Sequence, residues 1–158
     1  MATLLSDPES ILTGDDPLLF RLDGWIDTAP FEDLIGIELE QVGEGRAILG
    51  CQARLKLTQG GGLVHGGALT TLADTAVAMA IKSLLPEGTV FATTELQMRF
   101  LAPVRAGCFR AKAQVSGPEG RTFYGQAIIY DENESKVAEF SAIFRVARNQ
   151  ADSTAGIP

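Results

Sequence analysis

The chain has 158 residues, 46% of them hydrophobic, and a formal net charge of −7. That length suits one domain with a substantial core, and the acidity argues against general binding to nucleic acid or to anionic membrane surfaces. The longest apolar run, residues 76–81, falls far short of the roughly 20 residues of a membrane span.

Residues 1–16 mix Ser, Pro, Gly and acids around a few apolar side chains and are predicted to form a flexible N-terminal arm. From Pro17, the residues Leu18, Leu19, Leu22, Trp25 and Ile26 recur at helical spacing, which predicts a helix within 17–34 that Pro30 ends or restarts. Ile35, Ile37 and Leu39 alternate with Gly36, Glu38 and Glu40, the pattern of a half-buried strand. After the turn Val42-Gly43-Glu44-Gly45, a second strand is predicted over 46–57.

Residues 59–81 hold the chemistry. Gln59-Gly60-Gly61-Gly62-Leu63-Val64-His65-Gly66-Gly67 forms a glycine-rich loop with the only histidine, and it feeds an apolar helix predicted from Ala68 to Leu85. Leu69, Leu72, Ala73, Ala76, Val77, Met79 and Ile81 leave that helix almost no polar face, so it should be buried all round. Pro86-Glu87-Gly88 stops it. Four strands follow over 89–101, 108–116, 121–130 and 135–147, joined mostly by tight turns. In the first, Leu96, Met98 and Phe100 share one face and Glu95, Gln97 and Arg99 the other. The tail, 148–158, is small and polar and reads as disordered. The prediction is an α+β domain over 17–147 in which a six-stranded antiparallel sheet packs on one long helix. Further cover for the sheet would come most simply from self-association.

The two cysteines, Cys51 and Cys108, lie in strand-like runs. With no signal peptide or disulfide pattern they read as reduced, buried thiols of a cytoplasmic protein. One histidine and the absence of CxxC or HExxH spacing leave no usual zinc site, and no metal is expected.

Asp74 is the one acid of the helix. Ionised and unpaired in apolar surroundings it would cost several kcal/mol, so it must be partnered, protonated or open to a cavity. One reading satisfies it with the hydroxyls of Thr70 and Thr71, a turn earlier. The other makes it catalytic, since a desolvated carboxylate is a stronger base or nucleophile. Gly66 and Gly67 open the helix, where free N–H groups and the helix dipole suit a negatively charged oxygen, or where they simply relieve crowding. His65 alone fits a structural hydrogen-bonding role as well as a chemical one. Asp74 lies seven residues beyond Gly67, about 10 Å along the axis at ~1.5 Å per residue. One helix is then poorly placed to bring both groups to one carbonyl, and two antiparallel helices would bring the glycines of one beside the acid of the other. That geometry predicts a dimer with shared sites.

The stretch Leu63-Val64-His65-Gly66-Gly67, with an acid nine positions after the histidine, resembles the hotdog-fold acyl-CoA thioesterases of the phenylacetate-pathway (PaaI) type. The run from Thr93 to Pro103, with Gly107, is similar to that family's strand after the helix. The resemblance spans roughly residues 35–146. It implies a sheet wrapped around the central helix, assembled as a homodimer and often as a dimer of dimers. It implies an acyl-CoA substrate, with coenzyme A part of the substrate and no cofactor. It assigns Asp74 as catalytic carboxylate, the Gly66 N–H as the group polarising the thioester carbonyl, and Gln59 as the group orienting water or thioester. His65 would support the loop, and Gly67 and Thr93 fall at substrate-contacting positions. Ala78 stands where some relatives acting on aryl-CoA carry threonine. Arg121, Arg99 and Arg105 are candidates for holding the phosphates of coenzyme A. Two competing readings remain: a hotdog hydratase or dehydratase, which needs an acid–base pair and has only His65 to supply it, and a non-catalytic acyl-CoA-binding domain, which would not need Asp74.

Overall fold

The computed structural model describes residues 1–148. A two-stranded pair, β1 (Thr3–Leu4) and β2 (Phe20–Arg21), precedes the short helix α1 (Pro30–Ile35). Next come β3 (Ile37–Gly43), β4 (Arg46–Gln52), a 3-10 turn at Leu55–Leu57 and the long helix α2 (Gly66–Lys82). The chain closes with β5 (Phe91–Phe100), β6 (Cys108–Glu119), β7 (Thr122–Tyr130) and β8 (Lys136–Val146). The six long strands form one antiparallel sheet in the order β3-β4-β6-β7-β8-β5.

The sheet curls around α2, whose Leu72, Ala73, Ala76, Val77, Ala80 and Ile81 have no exposed surface. Facing them are Leu49 of β4, Phe109 of β6, Phe123 of β7 and Phe144 of β8, all almost wholly buried. Alanines on α2 and on the inward positions of β4 and β6 (Ala47, Ala111 and Ala113) let helix and sheet approach closely. The limit of that approach is Gly125 in β7, where a Cβ would overlap Val77 Cγ1. The β3–β4 hairpin turns through Glu44 and Gly45, both at positive φ (52° and 73°), as a tight hairpin requires.

Three expectations from the sequence need correction. No helix occupies residues 17–29; instead Phe20–Arg21 pairs with Thr3–Leu4, and the only helix there is α1, which Pro30 starts at its first position. The arm is therefore tied at several points, with the terminal amine 2.5 Å from an Asp27 oxygen and the Ala2 N–H donating to Asp33 at 2.8 Å. Second, β5 does not form a hairpin with β6. It pairs with β8 at the sheet edge, and residues 101–107 cross to bring β6 in beside β4. Third, α2 begins at Gly66 and ends at Lys82, and it is not buried all round: Thr70, Asp74, Ala78 and Lys82, four residues apart, form a half-exposed stripe. The predicted disordered tail falls, but for its first residue, outside the described residues.

Both cysteines are free. Cys51 is buried, which pushes its thiol up to about 11, while Cys108 is half-buried rather than buried. No helix among the described residues is long and apolar enough to cross a membrane.

The Gly125 contact yields a stability prediction. Gly125→Ala should lower Tm by about 2–12 °C in thermal unfolding, since overpacking costs ~1–3 kcal/mol and each kcal/mol is worth ~2–4 °C at this size. The double variant Gly125→Ala with Val77→Ala should recover part of that loss.

Candidate active site

Two clusters flank α2. The first is its N-terminus. His65 is the N-cap residue, with extended backbone (φ −61°, ψ 136°), and its Nδ1 accepts the Gly67 N–H at 2.8 Å. Its own N–H donates to the Leu57 carbonyl at 2.7 Å, and the neighbouring Val64 N–H donates to the Val104 carbonyl at 2.9 Å. Those bonds fix the loop on both sides. Accepting at Nδ1 places the ring proton of a neutral imidazole on Nε2, so the ring is committed to capping its own helix. No acid pairs with it among the described residues.

The Gly66 N–H, first of the helix, has no partner among the described residues. Left over by the His65 cap, it keeps the donor character of a free first-turn N–H. A Cβ on Gly66 would sit 2.9 Å from the Phe100 ring, so glycine here permits β5 to lie directly against the helix N-terminus. Gln59 belongs to the same cluster. Its backbone closes the glycine loop, with N–H to the Leu63 carbonyl at 2.8 Å and carbonyl from the Gly62 N–H at 2.9 Å. Its Oε1 accepts the Gly61 N–H in a short bond, leaving the Nε2 donors without a partner among the described residues. Gln59 and Gly66 open onto one cleft of about 410 Å³, walled by Leu63, Leu69, Phe100 and Leu101.

The second cluster is Asp74, whose Oδ1 accepts the Thr93 hydroxyl of β5 at 2.8 Å. Burial pushes its carboxyl above the ordinary carboxylate range; the Thr93 hydrogen bond opposes that rise and the Glu32 charge adds to it. The threonines a turn earlier do not serve it. Thr70 donates to the Gly66 carbonyl and Thr71 to the Gly67 carbonyl, each at 2.8 Å.

Thr93 reaches Asp74 because β5 is bulged. The register steps from Thr93 opposite Phe144 to Glu95 opposite Ile143, leaving Thr94 as the extra residue. Past it, Leu96, Met98 and Phe100 pair with Ala142, Phe140 and Ala138, three buried residues of β8. Strict alternation would place Thr93 on the outer face with Glu95 and Gln97. The bulge reverses the parity, so Thr93 and Leu96 both face inward. Sequence periodicity alone could not reveal this.

The two clusters are separate. Gly66 and Asp74 are eight residues apart on α2, about 12 Å at ~1.5 Å per residue. Gly66 lies against Phe100 and Asp74 against Thr93, at opposite ends of β5. Asp74 does not line the cleft shared by Gln59 and Gly66. Of the candidate cations, the Arg121 guanidinium donates to the Val146 carbonyl at 2.9 Å and does not line the cleft. Arg99 lies 3.7 Å from Glu139 on the outer face. Arg105 makes no ion pair among the described residues, and its loop supplies Pro103 and Val104 to the cleft wall. No cluster of metal-ligating side chains occurs among the described residues.

A family model for the thioesterase superfamily matches residues 61–138, the span from the glycine loop into β8. A protein of Saccharolobus solfataricus that carries an esterase name is 30% identical over 124 residues, covering 77% of this chain and 81% of the relative. The 1,4-dihydroxy-2-naphthoyl-CoA hydrolase of Listeria monocytogenes is 33% identical over 104 residues, covering 65% of this chain and 84% of that protein. Among solved structures, the PaaI protein of Escherichia coli, from its phenylacetic acid degradation operon, superposes with a TM-score of 0.69 at 28% identity, over 75% of this chain and 85% of that one. A conserved protein of Pseudomonas aeruginosa superposes with a TM-score of 0.73 at 24% identity, over 78% of this chain and 97% of that one, a likeness of fold alone.

The raised Asp74 carboxyl has a signed consequence for stability. Below the ordinary aspartate value, about 3.9, both folded and unfolded chains hold the proton and Asp74 costs nothing. Above it the unfolded chain ionises more readily than the folded one, and folding is penalised up to the folded-state pKa. Asp74→Asn should therefore raise Tm more at pH 7.5 than at pH 4.5, by ~2–4 °C for each kcal/mol relieved. Equal gains at both pH values would contradict a raised carboxyl.

Proposed function

We propose, for a chain that belongs to the thioesterase superfamily with the hotdog fold of the PaaI type, that it hydrolyses an acyl-CoA thioester to free acid and coenzyme A. Thioester hydrolase chemistry follows from the family; the acyl-CoA substrate and the residue roles are the proposal. The observation that carries it is Asp74, a carboxyl raised by burial and held by the Thr93 hydroxyl, on a helix that begins at a glycine N–H with no partner among the described residues.

The roles follow from what each group can do. The Gly66 N–H, on the positive end of α2, stabilises the oxyanion that forms when a thioester carbonyl becomes tetrahedral. Asp74 either attacks that carbonyl or takes the proton of the attacking water. Thr93 holds the carboxylate in one orientation. Gln59 can turn its free amide donors to water or thioester oxygen, and His65 fixes the loop that presents Gly66. Arg105, next to the cleft-wall residues Pro103 and Val104, is the cation we favour for a coenzyme A phosphate, with Arg121 the alternative.

Asp74 and the Gly66 cleft stand about 12 Å apart along one helix, so the complete site is taken to form across two copies. The edge strand β5 is the natural seam: it is ten residues long, pairs only with β8 among the described residues, and leaves Leu96 and Phe100 about half exposed. An uncovered edge of that kind favours strand pairing with another chain. The hydratase reading finds no support in the geometry, since His65 caps its own helix and has no acid beside it.

Free-thiol release from a panel of short, medium, long and aryl CoA esters tests the assignment. Asp74→Asn should lower kcat/KM by about 10²–10⁴-fold on the best substrate; turnover near that of the unsubstituted protein would sink it. Shared sites have their own test. Gly66→Pro, made together with Phe100→Leu to clear the ring that a Cβ would meet, removes the proposed oxyanion donor at a first helical position whose backbone suits proline, after a residue already extended. Mixed and reassociated, the inactive Asp74→Asn and Gly66→Pro chains should regain about a quarter of normal activity, because half the dimers are mixed and each carries one intact site.

A further inference from the structure

Two adjacent glycines open α2, and two adjacent threonines follow them one helical turn later: Gly66, Gly67, Thr70 and Thr71. Each hydroxyl donates to the carbonyl four residues back, Thr70 to Gly66 and Thr71 to Gly67, both at 2.8 Å. Helix stability does not call for them. Threonine is a poorer helix former than alanine, and a hydroxyl bonded back to a helix carbonyl tends to bend the helix. Neither hydroxyl serves Asp74, which takes its hydroxyl from Thr93.

Where the two bonds lead is different. A peptide unit joins the carbonyl of one residue to the N–H of the next, so a bond accepted at one end polarises the donor at the other. The Gly67 carbonyl shares its peptide with the Ala68 N–H, which donates to the His65 carbonyl at 2.9 Å. That carbonyl shares its own peptide with the Gly66 N–H, the donor left without a partner among the described residues. Thr71 therefore heads a chain of two peptide units that ends at the proposed oxyanion donor. The Leu69 N–H reaches the same His65 carbonyl at 3.4 Å and steadies the last peptide from a second side. The chain headed by Thr70 ends elsewhere: the Gly66 carbonyl shares its peptide with the Gly67 N–H, which donates to His65 Nδ1 at 2.8 Å.

We propose that Thr71 is a positioning residue for the Gly66 N–H, its hydroxyl orienting and strengthening that donor through the Gly67–Ala68 and His65–Gly66 peptides. The inference rests on Gly66 being the oxyanion donor. Its chemistry is electrostatic and moves no proton. The need for it comes from the glycines. Two of them at a helix start leave the backbone its widest freedom, whereas an oxyanion donor has to be fixed before charge develops on the carbonyl. Larger residues cannot supply the stiffness without a clash. A Cβ on Gly66 would sit 2.9 Å from the Phe100 ring, and one on Gly67 would sit 3.0 Å from His65 Nδ1. Bonds to the glycine carbonyls are the remaining means.

Thr71→Val keeps the branched shape and a similar helix propensity while removing the hydroxyl, and Thr71→Ser returns it. In the full-length protein on its best CoA ester, Thr71→Val should lower kcat about three- to tenfold, the worth of one hydrogen bond, with KM within about twofold. Thr71→Ser should recover most of that loss. In proton–nitrogen NMR spectra without substrate, Thr71→Val should move the Ala68 amide proton upfield, while a carbon NMR titration of the Asp74 carboxyl stays in place. An unchanged kcat, a loss that serine does not recover, or an unmoved Ala68 amide overturns the inference. So does an Asp74 titration that follows Thr71, because the hydroxyl would then act on the acid. The underlying reading fails separately: if the chain carrying Gly66→Pro with Phe100→Leu turns over normally, Gly66 is not the oxyanion donor, whatever Thr71→Val does to the Ala68 amide.

Discussion

One carboxylate on a helix that a sheet has wrapped is the constraint around which this molecule is arranged. Asp74 sits on the only stripe of α2 that the sheet leaves partly open, and its surroundings resist its ionisation. The Thr93 hydroxyl moderates that resistance by donating to the carboxylate, and the Glu32 charge adds to the resistance. An acid so placed stabilises nothing by itself; it stores, in a stable scaffold, the free energy that a reactive group requires. The six-stranded sheet can carry that cost because the rest of α2 is apolar and tightly met by aromatic side chains.

Much of this was legible in the residues. The run from His65 to Ile81 is so apolar that only a covered helix could hold it, and the single acid within it stood out for that reason. The hairpin turn at Glu44 and Gly45 and the alternating strands followed from local chemistry. What escaped was set by distant pairing. Apolar residues after Pro17 recur at helical spacing, yet α1 starts only at Pro30, because Phe20 and Arg21 find a strand partner in Thr3 and Leu4. Thr70 and Thr71 were placed to serve Asp74, yet a hydroxyl within a helix has a closer acceptor in the carbonyl four residues back. The edge position of β5 depends on a crossover that no turn residue announces.

The candidate site was legible as a list and not as an arrangement. Asp74, Gly66, Gln59, His65 and Thr93 were all picked out, but the structure divides them between two ends of one helix. Distance along α2 already implied that division, since helix rise is fixed whatever the sequence. Glu32 and Trp25 gave no signal, because a helix begun by proline after alanine lacks the hydroxyl cap that usually marks such a start.

The extra residue in β5 makes the chemistry a question of odd and even. A strand counts its faces in twos, so Thr93 belongs to the interior only while one unmatched residue separates it from Leu96. Insertion or deletion of a single codon near Thr94 would turn the hydroxyl outward and leave every named functional residue still present in the gene. A change of two codons would restore the facing. Descent along this strand is thereby restricted in its step size: substitutions can accumulate freely on the outer face, while lengths can change there only in pairs.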